Sequence, residues 1–279
     1  MTGERVAAWL DASLRHRLWF AETDEHDTAG LPFALCGRGD RAIVRNVACG
    51  VAGGHEIRLF DLEIWVEEGG SGNASGQNRI IAELIEEALG DGTPGHRLAE
   101  RWECAVVRAG AECGRLSIAP EGVLTRLADI VTSRDQDLEL EAFNHAFEIM
   151  TTDRRFANDF LDARMADFLL SEMPGCVVET VGNRILVAQR ACDPPDVDGI
   201  VSRALGVAER VPNAVRALAP ALPTAALTPG CPIGPDGRPR ADAFAAAADE
   251  VDGWVRDPGG WAPAPPRSPL RSRGERAPG

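Results

Sequence analysis

Asp24-Glu25-His26-Asp27 sets carboxylates and an imidazole side by side, and His55 follows later in the chain. Oxygen and imidazole groups of this kind suit a divalent cation or an acid/base pair, provided that they converge. Neighbours in a loop seldom all aim at one centre, so a solvated acidic loop is the preferred reading. Asp24, His26, Asp27 and His55 remain the candidates for a small metal-dependent or hydrolytic enzyme. Asp193, Asp196 and Asp198 make a poorer set, because two prolines interleave them and a calcium loop's Gly and bidentate Glu are missing.

A second candidate is the run Gly69-Gly70-Ser71-Gly72-Asn73-Ala74-Ser75-Gly76, placed between a strand and a helix as a dinucleotide fingerprint would be. Its spacing is G-x-G-x-x-x-G, and no alternation of strands and helices follows. Nucleotide binding at Gly70 to Gly76 is therefore weighed below a flexible insertion. A third is Arg154, Arg155 and Arg164 at the start of a helix, which form either an anion-binding patch or an ion-paired cap. Acids crowd the same stretch, which favours the cap.

Several chemistries are excluded outright. All 29 basic residues are arginine, since the 279-residue chain has no lysine; tyrosine is missing too. P-loop and protein-kinase phosphate binding, Schiff-base and pyridoxal-phosphate catalysis and S-x-x-K hydrolysis all need a lysine. Neither G-x-S-x-G nor H-E-x-x-H occurs. A net charge of −14 opposes polyanions, so no nucleic-acid or membrane partner and no cofactor are expected. Seven cysteines lie scattered without a C-x-x-C pair. Of these, Cys49, Cys104 and Cys176 read as small core residues, which fits a reducing compartment. Charged residues interrupt every apolar run of Met1–Arg17, and no stretch is long enough to span a bilayer, so a cytoplasmic placement is expected.

The elements that must position these groups follow from periodicity. A helix is expected over residues 4–20, then an acidic loop, so that 1–30 forms a leading segment. An α+β domain follows over 31–218, with an insertion near 67–100. Its strands include Pro32–Leu35, Ala42–Val51, His55–Val66 after a Gly53-Gly54 turn, Arg101–Ala109, Arg115–Ala119 and Phe147–Thr151. Phe60, Leu62 and Ile64 alternate with Asp61, Glu63 and Trp65, which predicts one buried and one wet face. Asp153 is a candidate cap for a long helix, Arg154–Glu172. Cys176–Gln189 reads as a hairpin about Gly182-Asn183, and helices divided by Pro212 fill Val197–Leu218. Residues 219–279 carry twelve of the nineteen prolines and read as a largely disordered tail. One short helix at 241–256 presents Phe244, Val251, Trp254 and Val255 as an interaction face.

The run Phe143–Phe147–Ile149–Asp153–Arg155–Ala157, continued by Leu161-Asp162-Ala163-Arg164-Met165, resembles an uncharacterised family of high-GC bacterial proteins. Pro32-Phe33, Gly39-Asp40, Asn46-Val47, Gly50 and Phe60-Asp61 look like that family's beginning. The resemblance spans roughly 31–218 and leads to a broader domain of unknown function, which implies no activity. The expectation is an antiparallel, hairpin-rich sheet packed with helices in a non-catalytic interaction or scaffold protein with an unknown protein partner.

Overall fold

In a computed structural model of the chain, the described residues are 3–23, 31–67, 95–120, 123, 141–218, 249–251, 254–257 and 260–263. Helix α1 (Gly3–Arg15) ends earlier than its periodicity predicts, and Trp19–Thr23 forms strand β1. The Leu18 N–H reaches the Ser13 carbonyl (2.8 Å) and the Arg17 N–H reaches that of Leu14 (3.1 Å). Arg17 itself is left-handed, with φ 56°. This double bond is a Schellman ending, and the aromatic pair that follows favours a strand.

Strands β2 (Arg41–Ala52) and β3 (His55–Glu67) pair antiparallel across Gly53 and Gly54, as expected from the glycine doublet. Both glycines have positive φ (56° and 80°), which a two-residue hairpin turn of type I′ requires. Pro32–Leu35 is not a strand; a 3-10 turn, Leu35–Gly37, stands at its end.

The two short strands expected at Arg101–Ala109 and Arg115–Ala119 are one continuous strand, β4 (His96–Pro120). Its first half pairs with β3, and its last residues pair with β5 (Phe147–Thr151). Along its other side lies β6 (Val177–Arg190). Register shifts between Arg108 and Leu116, with Gly110 at φ 70°, let β4 turn from one partner to the next. The expected hairpin at Gly182-Asn183 is overturned, because β6 passes through it without reversing. Gly182 (φ 59°) lies opposite Cys113 at the irregular part of β4, so its positive φ serves a bulge. Val178, Ile185 and Val187 on one face and Val177, Leu186 and Ala188 on the other are buried on both sides of it.

The remaining helices are α2 (Glu141–Ala146), α3 (Arg154–Phe160), α4 (Ala163–Glu172), α5 (Val197–Arg210) and α6 (Asn213–Leu218). The single helix expected over Arg154–Glu172 is two. The Asp162 carboxylate accepts the Met165 N–H at 2.8 Å and starts a fresh turn. Pro212 does separate α5 from α6.

Strands also occur where the tail helix was expected: β7 (Asp249–Val251), β8 (Trp254–Asp257) and β9 (Gly260–Pro263). Asp252-Gly253 and Pro258-Gly259 fall between them, and both dipeptides are turn formers that defeat a helical reading of Val251, Trp254 and Val255. Phe244 and the rest of the tail lie outside the described residues. Strand β9 pairs with β1, Phe20 opposite Trp261. The described sheet runs β5-β4-β3-β2-β1-β9-β8-β7, with β6 on β4, antiparallel at every pairing. The expected α+β class holds.

Both faces of the sheet are buried over β1–β6. One carries the larger core, with Trp9, Leu59, Val107, Phe143, Phe160, Leu169 and Ile200 among sheet and helix residues. The other carries Phe33, Leu35, Val47, Phe60, Leu62, Trp102 and Leu186. The wet face expected beside Phe60 and Leu62 is therefore dry, although Asp61 and Glu63 stand on it.

Candidate functional site

A carboxylate inside a folded core needs a cation or N–H donors, since an isolated buried charge costs several kcal/mol or more. Asp61 on β3 and Glu103 on β4 face each other across the ladder and are both 0% exposed. The cation is Arg5, carried over the sheet by α1. Its Nε donates to Asp61 Oδ2 at 2.8 Å and its Nη2 to Asp61 Oδ1 at 2.6 Å, a bidentate fork. Nη2 also reaches Glu103 Oε1 at 3.0 Å, and Nη1 donates to the Cys192 carbonyl at 2.7 Å. Burial alone would lower the Arg5 pKa, but the bonds and charges of Asp61 and Glu103 outweigh it and raise it.

Two carboxylates against one guanidinium leave an excess negative charge, and neutral donors surround it. Gln189 Nε2 (2.7 Å) and the N–H groups of Asp196 (3.2 Å) and Cys192 (3.3 Å) donate to Glu103. Asn46 Nδ2 donates to Asp61 at 2.8 Å. A register shift in β2 and a left-handed φ of 51° accompany that placement, in a conformation that Asn adopts more readily than most residues. Further along the strands, Glu63 pairs with Arg101 at 2.6 Å and with Arg45 at 3.5 Å. The network ties α1, four strands (β2, β3, β4 and β6) and the turn before α5 together.

The opposite face holds Glu179 of β6, 2% exposed. Its carboxylate accepts the N–H groups of Ala34 (2.6 Å) and Leu35 (3.0 Å), anchoring the segment that lies over Phe60 and Leu62. Burial pushes its pKa up to about 7, against the pull of those two N–H bonds and of Arg115 and Arg38. Nearby, Glu100 pairs with Arg38 (2.9 Å) and Arg190 (3.1 Å). Burial opposes its ionisation, yet the Trp102 N–H bond and the two arginines hold its carboxyl below the usual range.

These groups were not singled out in the sequence. The signal that marks them is an acid alone among apolar strand residues: Glu179 within Val177-Val178-Glu179-Thr180-Val181, and Glu103 beside Cys104-Ala105-Val106-Val107.

The residues that the sequence points to are placed only in part. His55 is half-buried at the start of β3, while Asp24, His26 and Asp27 lie outside the described residues, as do Gly70 to Gly76. Among the described residues, no group of three His, Cys, Asp or Glu side chains is placed to hold a metal ion. Arg154, Arg155 and Arg164 are exposed. Arg155 lies 3.9 Å from Asp159, Arg164 donates to the Arg210 carbonyl, and the Asp153 carboxylate occupies the helix start by accepting the Phe156 N–H. Cys49, Cys104 and Cys176 are all buried in the core as expected; Cys104 and Cys176 are free, and Cys49 is disulfide-bonded. Burial pushes the Cys36 and Cys113 thiols up to about 12 and that of Cys176 to about 11, so they are poor nucleophiles. No helix among the described residues is long and apolar enough to cross a membrane.

No family model and no curated protein matches the chain. Among solved structures, the chain is similar to the mycobacterial trehalose monomycolate transport factor A, TtfA, at 11% identity. That likeness covers 80% of this chain and 100% of the other, with a TM-score of 0.48.

Proposed function

We propose that this is a non-catalytic interaction or scaffold protein that makes contacts by strand addition at the β1 edge. The observation that carries this reading is the pairing of β9 with β1. A segment far away in sequence joins the sheet there, antiparallel, with Phe20 opposite Trp261. Strand addition gives affinity through main-chain bonds and asks little of particular side chains. The buried charges support the same reading, since Arg5, Asp61, Glu103 and Glu179 hydrogen-bond to the protein itself. The partner is another polypeptide, and the protein belongs with the high-GC bacterial family that residues 31–218 resemble.

A chain ending at residue 248 tests this. The core elements α1–α6 and β1–β6 remain, so the thermal midpoint falls by no more than a few degrees, while the uncovered edge promotes self-association visible by light scattering. A collapse of the midpoint would make the tail part of the core, and an unchanged, monodisperse protein would deny the edge any binding capacity.

A further inference from the structure

The segment 31–39 lies across the second face of the sheet. Phe33, Leu35 and Cys36 are packed into that core. Its polar attachments include one buried carboxyl. Glu179 takes the N–H groups of Ala34 and Leu35, Arg115 donates to the Pro32 carbonyl (3.4 Å), and Arg38 pairs with Glu100. At its far end the Asp40 N–H bonds to the Trp65 carbonyl (2.9 Å). Gly39 next to it has φ 70°, and a Cβ there would meet that same carbonyl at 2.6 Å. The segment is thus pinned at a glycine corner and clamped in its middle by one buried carboxyl.

We propose that residues 31–38 form a strap that opens from the sheet as the Glu179 carboxyl loses its proton. The physical reason is solvation. A carboxylate closed in among Phe33, Leu35 and the thiols of Cys36 and Cys104 has, among the described residues, the Ala34 and Leu35 N–H groups in place of water, and lifting the strap lets water reach it. The charged groups around it are Arg115 of β4 and Arg38 of the strap, both attractive, while Glu179 in turn raises the Cys36 and Cys104 thiols, as Asp61 and Glu103 do for Cys104. The raised carboxyl supports this direction. A group whose folded pKa (about 7) exceeds its free value (4.5) favours the closed form fully below 4.5 and loses that contribution as pH rises to 7. Opening uncovers an apolar sheet face and two thiols, and the inference does not depend on the β1-edge reading.

Amide hydrogen exchange on the full chain decides it, with rates corrected for the intrinsic pH dependence. The Ala34, Leu35 and Cys36 amides are expected to lose at least about tenfold of their protection between pH 5 and pH 7. Those of Val106 and Leu186 in the β4–β6 ladder should hold steady. In Glu179→Gln, with fold checked by circular dichroism, the strap amides should show no such change. Flat strap protection in the wild type overturns the proposal, and so does a fall shared equally by the ladder amides. Because the wild-type arm stands alone, it decides the matter even if Glu179→Gln does not fold.

Discussion

Asp198, two residues past the cap of α5, joins that helix to the end of α1: Arg15 Nη2 lies 2.8 Å and His16 Nε2 2.7 Å from its carboxylate. Burial disfavours its ionised form, but the bonds and charges of His16 and Arg15 together outweigh it and hold the carboxyl below its usual value of 3.8. Its stabilising contribution is therefore present above 3.8 and is lost as pH falls through the lower folded value. The group is 57% exposed, so solvent screens the pair heavily. Asp198→Asn should lose less than about 1 kcal/mol in urea unfolding at neutral pH, and the difference should shrink in acid. A loss of several kcal/mol would mean that this link matters as much as the buried one. Sequence alone favoured the acidic residues that come in clusters, such as Asp24 to Asp27, over single acids in strands. Yet the isolated ones, Asp61, Glu103 and Glu179, are buried and shape the fold. Clustering makes solvation easy; isolation among apolar neighbours forces a partner, which one chain cannot reveal because Arg5 lies so far away in sequence.

At the scale of elements, local signals were reliable where turn chemistry and periodicity agreed, as at Gly53-Gly54 and Pro212. They failed where tertiary contact overrode them. Gly182-Asn183 looks like a turn but serves a bulge, and Asp162 restarts a helix that its neighbours' periodicity would have continued. Gly206, in the middle of α5, shows such an override in one residue. A glycine there costs about 1 kcal/mol of helix propensity relative to alanine. A Cβ would lie 2.4 Å from Phe168 Cζ of α4, whose ring also carries the Arg210 guanidinium at 4.1 Å. Overpacking of that kind costs about 1–3 kcal/mol and exceeds the propensity gain. Gly206→Ala should therefore lower the unfolding free energy, whereas a rise would show that the half-buried Phe168 ring swings aside.

In the molecule as a whole, one sheet with two buried faces is held from one side by α1–α6 and from the other by the 31–39 segment. Hydrophobic alternation revealed the strands, but it could not say that the polar face would be covered, because the covering element, α1, brings a single arginine. Through its bonds to Asp61 and Glu103, this arginine braces the fold from within the core. The direct test is equilibrium unfolding of Arg5→Met, which keeps an unbranched apolar stem and leaves Asp61 and Glu103 buried without their cation. The brace predicts a loss of about 3–5 kcal/mol, because the abandoned carboxylates remain in the core. Stability within about 0.5 kcal/mol of the wild type would contradict it.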